Sequence, residues 1–175
     1  RGAKAVNFGI IYGISSFGLG KDLSISAKRA KEYIDKYFET YSDVKNYMDK
    51  NVETAKRDGY ITTLFGRRRV INELKSSNHN VRSFGERAAM NMPLQGSSAD
   101  IIKIAMINVY KKLKDKKLRA KLVLQVHDEL VFNVVPGEEE ALRALVTEKM
   151  SQAWPQSPVP LDVSTGIASN WLDAH

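Results

Sequence analysis

The chain has 175 residues, 43% hydrophobic and 27% charged, which is enough apolar mass for a packed core and excludes a disordered chain on composition. It contains no cysteine, so disulfides and thiolate metal sites are excluded, and no apolar run approaches the roughly 20 residues that span a bilayer. Lys and Arg outnumber Asp and Glu by 27 to 20, a net charge of +7. That balance suits polyanionic partners such as nucleic acid or nucleotides, and it equally suits a mildly basic soluble protein with no such partner.

The first dozen residues have helical spacing ending at Gly13. Ile14 to Ser24 is rich in Gly and Ser and predicts a loop with a short turn. Ser26 is placed to cap a helix from Ala27 to about Phe38. A second helix is expected from Asp43 to about Arg57, closed by Gly59. Tyr60 to Leu64 and Arg67 to Val70, with Gly66 between them, predict a hairpin. Val81 to Met90 reads as a helix that stops before Pro93. Ser97 or Ser98 then opens a longer helix to about Lys114. Ala120 to Val126 and Glu129 to Val135 read as strands separated by His127 and Asp128. Pro136-Gly137 leads into a helix to about Trp154, and Leu161 to Ile167 is expected as a final strand. The sum is an α+β chain, helices packed on a small antiparallel sheet. It opens at Arg1 within a patterned segment, so a starting point inside a longer chain is expected.

Two segments carry chemistry. On a helix turning about 100° per residue, Lys4, Phe8 and Tyr12 fall within an arc of about 80°. Ala3, Val6, Ile10 and Gly13 fall on the other side. A compact ammonium suits a triphosphate, and aromatic rings suit a sugar or base, at about 1–3 kcal/mol per stacked base. The same pattern also describes an amphipathic helix with aromatics packed in a core. The second segment is the hairpin tip at His127 and Asp128. A carboxylate on a rigid sheet edge is how phosphoryl-transfer enzymes hold Mg²⁺, and two such ions polarise the attacking and leaving oxygens. Asp is also a common turn residue.

Together these segments resemble DNA polymerases of family A. Arg1-Gly-Ala-Lys4-Ala-Val-Asn-Phe8-Gly-Ile-Ile-Tyr12-Gly13 resembles their motif B. Gln125-Val-His127-Asp128-Glu129-Leu130 resembles motif C, and Asn91-Met-Pro-Leu-Gln95-Gly96 the segment between them. Gly166 to His175 is similar to the family's ending. The order and spacing extend the resemblance over essentially the whole chain.

The resemblance implies template-directed DNA synthesis, with a helical fingers-like part over 1–90 and a palm part with a small antiparallel sheet over 91–175. Lys4 is expected to bind the triphosphate and assist proton transfer to pyrophosphate. Phe8 is expected to pack on the incoming sugar and discriminate against dideoxynucleotides, and Tyr12 to stack at the template site. Arg87 and Asn91 are expected on the template or primer, and Gln95 and His127 on minor-groove acceptors that every correct pair presents. Asp128 is the expected metal ligand, with Glu129 a secondary carboxylate. The implied partners are primer–template DNA, deoxynucleoside triphosphates and two Mg²⁺ ions, in the cytoplasm of a bacterium. The basic run Arg67 to Arg69 suits either backbone phosphate or solvent. Tyr33, Tyr37 and Tyr41 suit packing.

The chain departs from the pattern in two respects. The triphosphate Arg of motif B falls one position before Arg1, which leaves Arg1 as its neighbour. No segment resembles motif A, Asp-Tyr-Ser-x-x-Glu, which the resemblance implies supplies the second metal-binding Asp. The 175 residues alone are therefore expected to be inactive. The alternatives are a piece of a single-subunit RNA polymerase and a non-catalytic basic nucleic-acid-binding module. Glu129 after His-Asp and Phe8 on the first helix favour the DNA enzyme.

Overall fold

A computed structural model describes residues 2–174, and their side chains from residue 6. The chain is α+β, with two separate two-stranded antiparallel sheets among the described residues. It forms two compact units, Arg1–Ser97 and Ser98–His175.

In the first unit, α1 (Gly2–Ile11) ends where expected. Gly13 takes a φ of 70°, the Gly13 N–H bonds the Ile10 carbonyl, and the Ile14 N–H bonds that of Gly9. This double closure satisfies carbonyls at the helix end and needs a left-handed residue at Gly13. The expected loop from Ile14 to Ser24 is instead largely α2 (Ser16–Leu23). Ser15 caps it by accepting from the Gly18 N–H at 3.1 Å, and Leu19 is fully buried. One cap and one core side chain outweigh the low helix propensity of its two glycines.

Ser26 accepts from the Arg29 N–H at 3.2 Å and starts α3 (Ala27–Thr40). Helix α4 (Ser42–Asp58) ends at Gly59, as its position suggested. Strands β1 (Tyr60–Thr62) and β2 (Arg68–Val70) pair with Tyr60 opposite Val70. The core of this unit joins Val52 and Ala55 of α4, Ile61 of β1 and Ile71 to Ala89 and Met92.

The last two belong to α5 (His79–Asp115), a single helix that runs through Pro93. The break expected before Pro93 does not occur. Proline lacks an N–H and costs a helix interior about 3 kcal/mol. Ala89, Met92 and Pro93 are all buried, and that packing offsets the cost of the proline, so the helix continues past it.

The second unit contains the later part of α5, β3 (Lys121–Val126), β4 (Glu129–Asn133), α6 (Glu139–Ser151) and a short 3₁₀ turn, Leu172–Ala174. Its core joins Val109 and Leu113 of α5 to Ala120 and to Leu142, Leu145 and Val146 of α6. Burying side chains such as Leu145 contributes about 1.5–3 kcal/mol each. Leu161 to Ile167, expected as a strand, is irregular. A strand exists only through its ladder, and the described residues offer this segment no partner.

Glu138 ties α6 to β3. Its carboxylate accepts from the Arg119 N–H at 2.9 Å and the Ala120 N–H at 2.9 Å, with the Arg119 guanidinium 3.6 Å away. The backbone bond from Arg119, opposed in part by desolvation, holds its pKa below the ordinary 4.5. The folded form therefore favours the carboxylate: the stabilisation is present above the ordinary value and is lost as pH falls through the lowered one. Thermal unfolding followed from neutral pH to about pH 3 is expected to show Glu138→Gln with a shallower loss of stability on acidification. An unchanged slope would remove Glu138 from the account.

Candidate functional site

Each unit carries one group of candidate residues. In the first, Phe8 of α1 and Tyr12, in the turn just after it, stack with ring centroids 6.3 Å apart and planes 22° apart. Both are largely exposed, at 51% and 44%, while Ile10 on the other side is 2% exposed. Among the described side chains the two aromatics face out and Ile10 packs, as the helical spacing suggested for these three. Lys4 lies within α1, but its side chain is outside the described residues, as is all of Arg1.

The end of α1 meets α5. A Cβ at Gly13 would lie 3.0 Å from Arg87 Cγ and 3.4 Å from Met90 Sδ. The Asn91 amide donates to the Tyr12 carbonyl at a long 3.5 Å. Arg87, Asn91 and Gln95 are spaced i, i+4, i+8, so they follow one face of α5. Arg87 and Gln95 are exposed and Asn91 is half-buried. The structure therefore gathers Tyr12, Arg87 and Asn91, with Gln95 one turn further along.

The β1–β2 hairpin is pinned against α5 beside Gln95. A Cβ at Gly96 would lie 2.6 Å from Thr63 Cγ2, so a side chain here would collide with the Thr63 methyl. Arg67 donates to the Gly96 carbonyl at 2.8 Å, and the Ser97 hydroxyl accepts from the Leu64 N–H at 2.9 Å while donating to the Pro93 carbonyl. Arg67 thus has a structural bond, and the Arg68 guanidinium sits 5.0 Å from the Tyr60 ring centre. Tyr37 packs on Tyr41 at 4.9 Å between ring centres, in line with a packing role.

In the second unit, β3 and β4 pair with Val126 opposite Glu129, which leaves His127 and Asp128 as a two-residue loop. His127 has a φ of 51°, the left-handed value that tight hairpin loops take at their first position. The Gln125 amide donates to the His127 carbonyl at 2.6 Å. His127 and Asp128 are exposed. Glu129, next in the chain, accepts from the Trp171 indole N–H at 2.9 Å.

Among the described residues, no three His, Cys, Asp or Glu side chains gather as a cation site. Mg²⁺ is usually held by one or two carboxylates, with phosphates and waters completing its shell. The exposed carboxylate of Asp128 suits one such contribution. Sequence reasoning gave Trp171 and Thr63 no contact, and it placed Ser97 as a possible helix start, whereas Ser97 lies inside α5 and bonds the hairpin. Their contacts, Trp171 with Glu129, Ser97 with Leu64 and Thr63 with Gly96, bridge 42, 33 and 33 positions, and no local spacing signals them.

The model of DNA polymerase family A matches residues 1–173. The chain is 54% identical to DNA polymerase I of Bacillus subtilis strain 168 over 174 residues, 99% of this chain and 20% of that protein. It is 49% identical to DNA polymerase I of Mycobacterium tuberculosis strain H37Rv over 171 residues, 98% of this chain and 19% of that protein. Among solved structures it is similar to the POL domain of Pol1 from M. smegmatis in complex with DNA primer-template and dNTP. That likeness has a TM-score of 0.94 at 48% identity and covers 99% of this chain and 30% of the other. The chain belongs to DNA polymerase family A. It spans about a fifth of the length of the curated DNA polymerase I relatives it matches.

Proposed function

We propose that this chain is the part of a bacterial DNA polymerase I that receives the incoming deoxynucleoside triphosphate and supplies one metal-binding carboxylate for DNA synthesis in replication and repair. The observation that carries this reading is the outward-facing Phe8–Tyr12 pair joined to the Arg87–Asn91–Gln95 face of α5. The relatives named DNA polymerase I, and a neighbour bound to primer-template and dNTP, support it. Residues 1–90 correspond to fingers and 91–175 to palm in this reading, and the setting is the cytoplasm near the nucleoid.

Each residue has a distinct task. Lys4 neutralises triphosphate charge and holds a proton at its ammonium for the departing pyrophosphate. Phe8 packs on the sugar, and Tyr12 stacks at the template position. Arg1, beside the triphosphate, adds cationic charge. Arg87 and Asn91 contact the strands through groups that read no sequence. Gln95 and His127 test minor-groove acceptors common to all correct pairs. Asp128 supplies one carboxylate ligand of a Mg²⁺ pair, whose chemistry when bound is to polarise the attacking 3′-oxygen and the leaving phosphate oxygen.

The test is Lys4→Ala in the intact polymerase. Losing a charge-assisted contact of about 1.5–3 kcal/mol is expected to lower kcat/KM for the nucleotide by about 10- to 100-fold. Primer–template affinity is expected to stay within about threefold. Unchanged nucleotide kinetics would overturn the assignment of this helix face.

A further inference from the structure

We infer that Trp171 is a positioning residue for the metal-binding hairpin: by holding Glu129, it fixes the two-residue loop that carries Asp128. The inference rests on the polymerase reading above and adds to it a role for the C-terminal tail. Three observations converge on it.

The first is the loop itself. It is as short as a hairpin allows, and His127 adopts a left-handed φ of 51° without being glycine. Such backbone strain persists only where the surroundings over-determine it. Glu129 forms the strand pair with Val126 that closes this loop, so a restraint on Glu129 acts directly on the tip.

The second is the restraint. The Trp171 indole N–H reaches the Glu129 carboxylate at 2.9 Å across 42 residues of chain. A hydrogen bond to an ionised acceptor is roughly twice as strong as a neutral one. It also occupies one oxygen of the carboxylate next to Asp128.

The third is how the tail aims the indole. The Asp173 N–H donates to Asn170 Oδ1 at 3.1 Å, and the Asn170 amide donates back to the Asp173 carboxylate at 2.6 Å. The Ala174 N–H donates to the Trp171 carbonyl at 3.2 Å. A Cβ at position 166 would lie 1.9 Å from the Ala174 carbonyl oxygen, so the tail folds tightly against Gly166. Trp171 is therefore carried by a closed, self-bonded turn and not by a loose end.

The experiment uses the intact polymerase. Trp171→Phe keeps a ring and removes the N–H, Glu129→Ala removes the acceptor, and a third variant carries both. Hydrogen exchange of the 122–133 segment, measured without metal or nucleotide, is expected to quicken about five- to tenfold in each single variant. The double variant is expected to be no faster than the faster single one. The Mg²⁺ concentration for half-maximal primer extension is expected to rise several-fold in parallel. Exchange within about twofold of the parent in Trp171→Phe, with only a lower melting temperature, would reduce Trp171 to a fold anchor. Multiplying effects would also overturn the inference. Should Trp171→Phe not fold, unchanged exchange in Glu129→Ala sinks it equally. Asp128→Ala run alongside separates the two levels: retained extension there defeats the polymerase reading, whatever the exchange shows.

Discussion

Asp128→Ala in the intact polymerase is expected to slow nucleotide addition by about 10³-fold or more while primer–template affinity changes by no more than a few-fold. Asp128 stands exposed at the end of a two-residue loop, so its removal leaves no cavity and no unpaired buried group. The fold has no reason to suffer. In the proposed reading, what is lost is one carboxylate that would hold metal ions at the reacting phosphate, where metal charge stabilisation amounts to several kcal/mol. DNA affinity comes mainly from cations on backbone phosphate, and an aspartate contributes nothing to that. Single-turnover extension together with equilibrium DNA binding measures both quantities. Extension within tenfold of the parent would remove Asp128 from the reaction; a parallel collapse of DNA binding would favour a basic binding module.

Gly96→Val is expected to cost about 1–3 kcal/mol of stability and to weaken primer–template binding at the same time. Two opposing effects meet at this position. Glycine inside α5 is itself unfavourable by about 1 kcal/mol against alanine, and valine recovers part of that. Against this, the first added carbon already falls 2.6 Å from Thr63 Cγ2, and valine adds two more. Thr63 is 4% exposed, and its hydroxyl accepts from the N–H groups of Phe65 and Arg67, so it has nowhere to turn. Overpacking wins, and the hairpin has to lift from the helix beside Gln95. Chemical denaturation and DNA titration check the two consequences. A variant as stable as the parent would mean that the hairpin is free to move.

Local signals carried much of the architecture. Ser26 and Gly59 marked helix ends by cap and left-handed turn, and both act that way. The periodicity of residues 1–13 gave the outward aromatics and the buried Ile10. What stayed hidden depends on distant neighbours. Helix α2 exists because Leu19 finds a core, which its Gly-Ser composition conceals. Pro93 is a helix breaker by local rule and is overruled by packing around Ala89 and Met92. The segment Leu161 to Ile167 has strand composition, yet a strand is a property of pairs. The candidate residues were legible as motif positions, because motif order is linear. Their contacts were not: nothing near Glu129 in the chain announces Trp171, and nothing near Gly96 announces Thr63.

The junction between Asn91 and Tyr12 has an energetic consequence. The hydrogen bond there is stretched to 3.5 Å, and the other polar side-chain atom of Asn91, Oδ1, is buried without a partner among the described residues. A bond at that length contributes little, and the unsatisfied oxygen already bears a desolvation penalty. Breaking that hydrogen bond thus sacrifices little and lets water reach a stranded acceptor, while the close packing of Gly13 on Arg87 and Met90 remains. The turn that carries Tyr12 is therefore seated on α5 by shape more than by polar bonding, so its position tolerates the loss of the Asn91 amide.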